Sequence, residues 1–196
     1  MIRGAPPVRS IVAMRIISGS ARGTRLGPVP RGARPVSDRA REGLFSSLAG
    51  TVPGARVLDL FAGSGALGLE ALSRGAAHAT FVDRDRVATG AIRDNLARTR
   101  LGPAEVVTSD VHRFLGVSRS GGDLFDLVLL DPPYDLGGPD LDRLLEGLAT
   151  GALATHGWTV ALTRGKRSST HVIPVSWAPA RRLRYGDSLV YLYREV

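Results

Sequence analysis

Asp59-Leu-Phe-Ala-Gly63-Ser-Gly65-Ala-Leu-Gly68 is the stretch that decides the fold. A short apolar run, Arg56 to Leu60, ends on it, and Ala66 to Ser73 then reads as a helix. Glycines at a strand-to-helix turn permit a tight reversal and close ligand approach, while the helix start offers unpaired amide hydrogens. The spacing satisfies G-x-G-x-x-G, with Asp83 twenty residues beyond Gly63. Alone this pattern is ambiguous. Nicotinamide and adenosylmethionine enzymes share it, because both hold an adenosine ribose beside an acid at the end of a second strand.

Working outward, apolar runs alternate with amphipathic stretches, which predicts an α/β fold with a mostly parallel sheet. The expected strands are Arg56 to Leu60, Thr80 to Val82, Glu105 to Thr108, Leu127 to Leu130 and Thr159 to Leu162. Helices are expected over Arg39 to Leu48, capped by Ser37 or Asp38, then Ala66 to Ser73, Val87 to Thr99, a weak stretch near His112 to Val117, and Leu141 to Leu148. His171 to Val175 and Ser188 to Tyr193 read as two further strands with no helix between them, predicting a C-terminal antiparallel hairpin. Ser118 to Gly122 is the flexible-looking internal stretch. Before the main domain (38–196), residues 14–37 suggest a small basic hairpin broken by Gly19, Gly23, Gly27 and Gly32, and residues 1–13 a disordered extension. Met1 and Met14 are both candidate starts.

Further residues shift the balance toward adenosylmethionine. Asp59 closes the first strand, where its carboxylate can hold the loop or the cofactor's ammonium group. Phe61 and Ala62 lie in the loop, Asp83 is the candidate ribose ligand, and Asp110, after the third strand, can accept from an adenine amino group. Each of these acids can instead be an ordinary cap or turn residue. After the fourth strand comes Asp131-Pro132-Pro133-Tyr134. The prolines stiffen the loop and remove amide hydrogens, leaving carbonyl oxygens as acceptors. An exocyclic base nitrogen is a poor nucleophile because its lone pair is delocalised into the ring. If the carboxylate of Asp131 and the carbonyl of Pro132 accept its hydrogens, the lone pair can turn toward a methyl group. Tyr134 would stack on a base taken out of its helix.

The 196 residues carry a net charge of +8. It is concentrated, since residues 1–41 hold nine arginines against the single acid Asp38, while the remaining residues balance at 17 basic and 17 acidic. Such an arm attracts phosphate backbones, and Arg15, Arg22, Arg25, Arg31 and Arg34 are the candidate RNA contacts, with 164–167 or 181–184 as a fallback surface. Cysteine is absent, which excludes disulfides, thiolate zinc sites and a cysteine nucleophile. His78, His112, His156 and His171 lack metal-pair spacing, so no metal is expected. Apolar runs such as Leu127 to Leu130 fall far short of a membrane span, and the expectation is a soluble cytoplasmic monomer.

The chain resembles the bacterial 16S ribosomal RNA guanine-N2 methyltransferases that modify guanine 966, from about Met14 to the C-terminus. The likeness rests on Met14-Arg-Ile-Ile-Ser-Gly-Ser-Ala-Arg-Gly-Thr-Arg-Leu26, Arg34-Pro-Val-Ser37 leading to Arg41-Glu-Gly-Leu-Phe45, Asp59 through Gly75, Asp131-Pro-Pro-Tyr134 and Tyr185-Gly-Asp-Ser-Leu-Val-Tyr-Leu-Tyr193. Val36 stands where that family commonly has threonine, and residues 1–13 have no counterpart. The resemblance implies a seven-stranded, Rossmann-like class I methyltransferase fold, S-adenosylmethionine as cofactor, and action on 16S ribosomal RNA in assembled or nearly assembled small subunits. Three other readings use the same residues. They are a DNA adenine-N6 or cytosine-N4 amino-methyltransferase, a non-catalytic RNA-binding assembly factor, and a nicotinamide oxidoreductase. The first usually needs an added recognition domain, the second sits badly with an intact Asp131, Pro132 and Tyr134, and the third lacks a proton-relay group.

Overall fold

The computed structural model describes residues 14–27, 36–116, 124–133 and 135–196. The expected extension at 1–13, the stretch 118–122, Arg31, Arg34 and Tyr134 lie outside the described residues. Seven strands form one sheet: β1 (Arg56–Leu60), β2 (His78–Asp83), β3 (Ala104–Thr108), β4 (Leu127–Leu130), β5 (Thr159–Gly165), β6 (Trp177–Tyr185) and β7 (Ser188–Glu195). Their order is β3-β2-β1-β4-β5-β7-β6. The first five are parallel, and β7 runs antiparallel between β5 and β6.

Alternation along the central strands divides the core into two layers. Val57, Phe81, Leu127 and Leu129 face one side, with α1 (Asp38–Ser47), α2 (Ala66–Ser73) and α3 (Arg86–Thr99) supplying Leu44, Phe45, Leu69 and Ile92. Leu58, Leu60, Val128 and Leu130 face the other, covered by α4 (Val111–Gly116) and α5 (Gly138–Gly151). In α5, Leu141, Leu144, Leu145 and Leu148 repeat at helical spacing and are all fully buried, worth roughly 2 kcal/mol apiece. Ser37 caps α1 by accepting from the Ala40 N–H at 3.3 Å.

Residues 14–27 fold back on themselves through Ile16 N–H to Thr24 O (3.0 Å) and Leu26 N–H to Met14 O (2.8 Å), and they lie along α2. The fully buried Glu70 accepts from the amides of Ile17 (2.8 Å) and Ser18 (3.0 Å), and from Arg74 Nε (2.7 Å). Ser73 Oγ takes the Ala21 N–H and donates to the Ser18 carbonyl, while Asn95 Oδ1 takes the Gly27 N–H. Met14, Ile16, Ala21 and Leu26 are buried in the same core layer as α2. Gly19, at φ +87°, passes so close that a Cβ would stand 1.7 Å from the Ser73 carbonyl oxygen.

The one strand misplaced by sequence reading is the first arm of the terminal hairpin. It is Trp177–Tyr185, and His171 to Val175 is instead part of the irregular segment before it. β6 is an edge strand whose middle is exposed and carries Arg181, Arg182 and Arg184, so it lacks the apolar alternation that marks a strand.

Candidate active site

Register brings the candidate residues together at the carboxyl ends of the parallel strands. Leu60 pairs with Val82 on one side and Leu130 on the other, so Asp83, Phe61 and Asp131 are the next residues out on three neighbouring strands. At about 4.8 Å between strands, Asp83 and Asp131 stand roughly 10 Å apart in backbone position, with the glycine loop rising between them.

That loop is built by unusual backbone. Phe61 adopts φ +57°, Gly63 φ +56° and Gly65 φ +77°, and Gly65 directly precedes α2. A non-glycine residue in the left-handed region costs about 1–2 kcal/mol, a strain typical of functional turns. The Gly63 N–H donates to Asp83 Oδ2 at 2.8 Å, tying the loop to β2, and the Asp85 N–H donates to Asp83 Oδ1 at 2.9 Å. A Cβ on Gly63 would have the Phe61 carbonyl oxygen, at 4.0 Å, as its nearest contact, which leaves room for a ligand against the loop. At Gly68 a Cβ would collide with the Phe81 ring at 2.3 Å, so the third glycine serves close packing of helix on sheet. Asp59 is 1% exposed and Oδ2 accepts the Gly68 N–H at 2.8 Å, which fits the loop-holding alternative for this residue. Burial, with lesser contributions from Asp131 and Asp83, pushes its carboxyl well above the ordinary carboxylate range.

Asp131 leaves β4 with its N–H toward the Leu60 carbonyl at 3.5 Å. A small part of the residue reaches the surface, but protein encloses the carboxyl, and that loss of water raises its pKa from the usual 3.8 to about 7. Pro132 is buried and Pro133 exposed. The Pro133 carbonyl is committed to a turn, accepting from the Leu136 N–H at 3.0 Å. The buried Arg164, at the end of β5, donates from Nη2 to the Leu136 carbonyl at 3.1 Å and so pins the segment that follows the tetrapeptide.

Asp110 is exposed, and its Oδ1 accepts from the amides of His112 (2.9 Å) and Arg113 (3.2 Å) at the start of α4. Its observed task is a helix cap. The candidate RNA residues Arg15, Arg22 and Arg25 are exposed on the folded-back segment, and Arg15 Nε also pairs with Asp38 at 3.4 Å. Sequence reading passed over Glu70, Ser73 and Asn95, which hold this segment; it counted Arg41 in the basic arm and Arg164 in the fallback surface, but both side chains are buried and neither can meet a phosphate. Polar residues spaced among the apolar positions of α2 and α3 were the available signal for the first three. Among the described residues no group of acids and histidines is arranged to hold a metal ion, and no helix is long and apolar enough to cross a membrane.

Strand order, glycine loop and the acids at the strand ends define a Rossmann-like class I methyltransferase fold, the fold that the sequence resemblance implies. The chain belongs to the family whose model is described as Conserved hypothetical protein 95, which matches residues 14–194. Among curated relatives, ribosomal RNA small subunit methyltransferase D of Escherichia coli is 38% identical over 188 residues, covering 92% of this chain and 89% of the relative. Among solved structures, the candidate methyltransferase yhhF from Escherichia coli superposes with a TM-score of 0.80 at 38% identity, covering 93% of this chain and 98% of that one. A candidate sam-dependent methyltransferase from Streptococcus mutans shares the fold alone, with a TM-score of 0.69 at 17% identity, covering 83% of this chain and 50% of that one. The resemblance read from the sequence is thereby borne out at the level of family and fold.

Proposed function

We propose that the chain methylates ribosomal RNA of the small subunit at the exocyclic N2 of a guanine, with S-adenosylmethionine as donor. Family membership supports an RNA methyltransferase, through the curated Escherichia coli relative. The observation that carries the chemistry is the row of strand ends that sets Asp131 beside the Phe61–Gly65 loop and across from Asp83.

The residues fit the cofactor. The space over Gly63 accepts it, the second lone pairs of the Asp83 oxygens remain able to take ribose hydroxyls, and Asp110 stands beyond β3 on the adenine side. When bound, the cofactor supplies an electrophilic methyl group on a sulfonium. Asp131 and the Pro132 carbonyl accept the two hydrogens of the target amine, which frees its lone pair to attack in line, and Asp131 takes the proton released. Tyr134 stacks on the extruded base. The exposed Arg22 and Arg25, with Arg15, hold RNA phosphates on the segment that Glu70 and Ser73 fasten to α2. In this reading residues 14–37 form the RNA-holding unit and 38–196 the catalytic domain.

The test is methylation of small subunits from cells lacking this activity, with the product identified by mass analysis of the nucleosides. N2-methylguanosine is expected with the wild-type chain and none with Asp131→Ala. Methylation of another base, or of DNA in preference, would sink the reading.

A further inference from the structure

The terminal hairpin carries a built feature that the catalytic reading leaves unused. Register places Arg182 of β6 opposite Tyr191 of β7, on the same sheet face as Leu162 and, one pair further along, Arg164 of β5. The Arg182 guanidinium lies over the Tyr191 ring at 5.6 Å from its centroid, and the Tyr191 and Tyr193 rings are parallel at 6.3 Å. His171, from the segment preceding β6, meets both tyrosines edge-on and bonds the Tyr193 hydroxyl through Nε2 at 2.7 Å. These groups, with Ile173 and Pro179, line an open cavity of about 450 Å³. Burial first, and then the charge of the nearby Arg164, hold the His171 imidazole below its usual pKa, and Arg164, itself only 2% exposed, has no hydrogen-bond partner for Nε and Nη1 among the described residues. Through Nη2 the same guanidinium holds Leu136, which ties the segment after the tetrapeptide to β5, the strand beside the hairpin.

Charge indicates what this surface takes. From residue 147 to residue 186 the chain contains no aspartate or glutamate, yet it contains Arg164, Lys166, Arg167, Arg181, Arg182 and Arg184. An edge strand rich in arginine, with stacked tyrosines behind it, is the pairing of backbone clamp and base platform that single-stranded nucleic acid requires. We propose that this outer face of the β6–β7 hairpin is a second RNA-holding site, in which Arg182 grips a phosphate and the Arg182–Tyr191 stack receives a base of a nucleotide flanking the target. The proposal rests on the RNA-methylating function above. It adds a site on the far side of the catalytic loop from residues 14–27, so that RNA is held on both sides of Asp131.

The experiment compares wild type, Arg182→Ala, Arg182→Glu and the equal-charge control Arg98→Ala, on the exposed side of α3. Binding of unmodified small subunits and of a bare RNA oligonucleotide is measured across a salt series, with adenosylhomocysteine binding as the check on folding. Arg182→Ala should lower the slope of log affinity against log salt by roughly 0.7, and weaken RNA binding roughly fivefold or more. The KM for small subunits should rise with kcat unchanged, and adenosylhomocysteine should bind as before. Arg182→Glu should be worse, and Arg98→Ala should match wild type. If wild type binds and methylates while Arg182→Glu equals it, this site is refuted and the function stands. If Arg182→Glu loses the particle but keeps bare RNA, the face meets a ribosomal protein and the proposal falls. A wild-type chain that binds no RNA overturns both.

Discussion

Replacing Asp131 with asparagine should abolish methyl transfer while making the protein more stable at alkaline pH, because the carboxyl is held where its charge is costly. Burial moves its pKa from 3.8 to about 7. At 1.36 kcal/mol per pH unit, that displacement corresponds to about 4 kcal/mol as an upper limit, less whatever water reaches the partly exposed residue. The direction follows from proton counting. Below about pH 4 both folded and unfolded chains carry the proton, and Asp131 imposes no penalty. Between about 4 and 7 the unfolded chain has ionised while the folded one retains its proton, so wild-type stability falls as pH rises, and above about 7 the penalty is complete. Asparagine cannot ionise, and its presence also removes the repulsion that Asp131 exerts on buried Asp59. The stability of Asp131→Asn relative to wild type should therefore grow by about 2–4 kcal/mol between pH 4 and 8. Denaturant unfolding of both proteins at matched pH measures it, and the difference cancels titrations the two share. In wild type kcat/KM should climb tenfold per pH unit below the Asp131 pKa and level above it, because only the carboxylate accepts the amine hydrogens. Bound cofactor, being cationic, would draw that limb to lower pH. A stability difference that stays flat with pH, or that grows toward acid, would refute the placement of this carboxyl in a desolvated site.

Two further expectations concern the neighbours of Asp131. Adenosylhomocysteine at a hundred times its dissociation constant should stabilise the fold by about 2.7 kcal/mol, a melting shift of roughly 5–10 °C in a chain of this size, and Asp83→Ala should erase the shift. A nicotinamide dinucleotide producing that shift instead would overturn the cofactor assignment. Gly19→Ala should push residues 14–27 off α2, since the new Cβ would overlap the Ser73 carbonyl at 1.7 Å and φ +87° disfavours alanine. Loss of small-subunit methylation and of amide protection at Ile17, Ser18 and Ala21, with adenosylhomocysteine binding retained, is the expected pattern; protected amides with normal methylation would count against the proposed docking role.

What was legible in the sequence is what short-range spacing encodes. The glycine loop, Asp59, Asp83 and Asp131-Pro-Pro each sit within a few residues of a strand end, and the parallel register does the rest. β6 was illegible because an arginine-rich edge strand presents no alternating apolar face. Long-range partnerships were equally hidden: Glu70 meets Ile17 across 53 positions, and Asn95 meets Gly27 across 68. These contacts also change what the charge count means. Arg41 contributes to the +8 of residues 1–41, but its side chain is fully buried, with Nη2 donating to the Arg15 carbonyl at 2.7 Å and to Asp38 at 2.6 Å. A guanidinium placed there cannot reach a phosphate. It fastens α1 to the folded-back segment, and Arg15 shares the same Asp38. Among the described arginines of that region, Arg22, Arg25 and Arg39 are exposed without such an ion pair, so the charge free to meet RNA is smaller than arithmetic suggests. An arm with part of its charge spent on its own anchoring makes the cationic face of the terminal hairpin more necessary to holding the substrate, and the salt slopes of Arg22, Arg25 and Arg182 variants weigh the two surfaces directly.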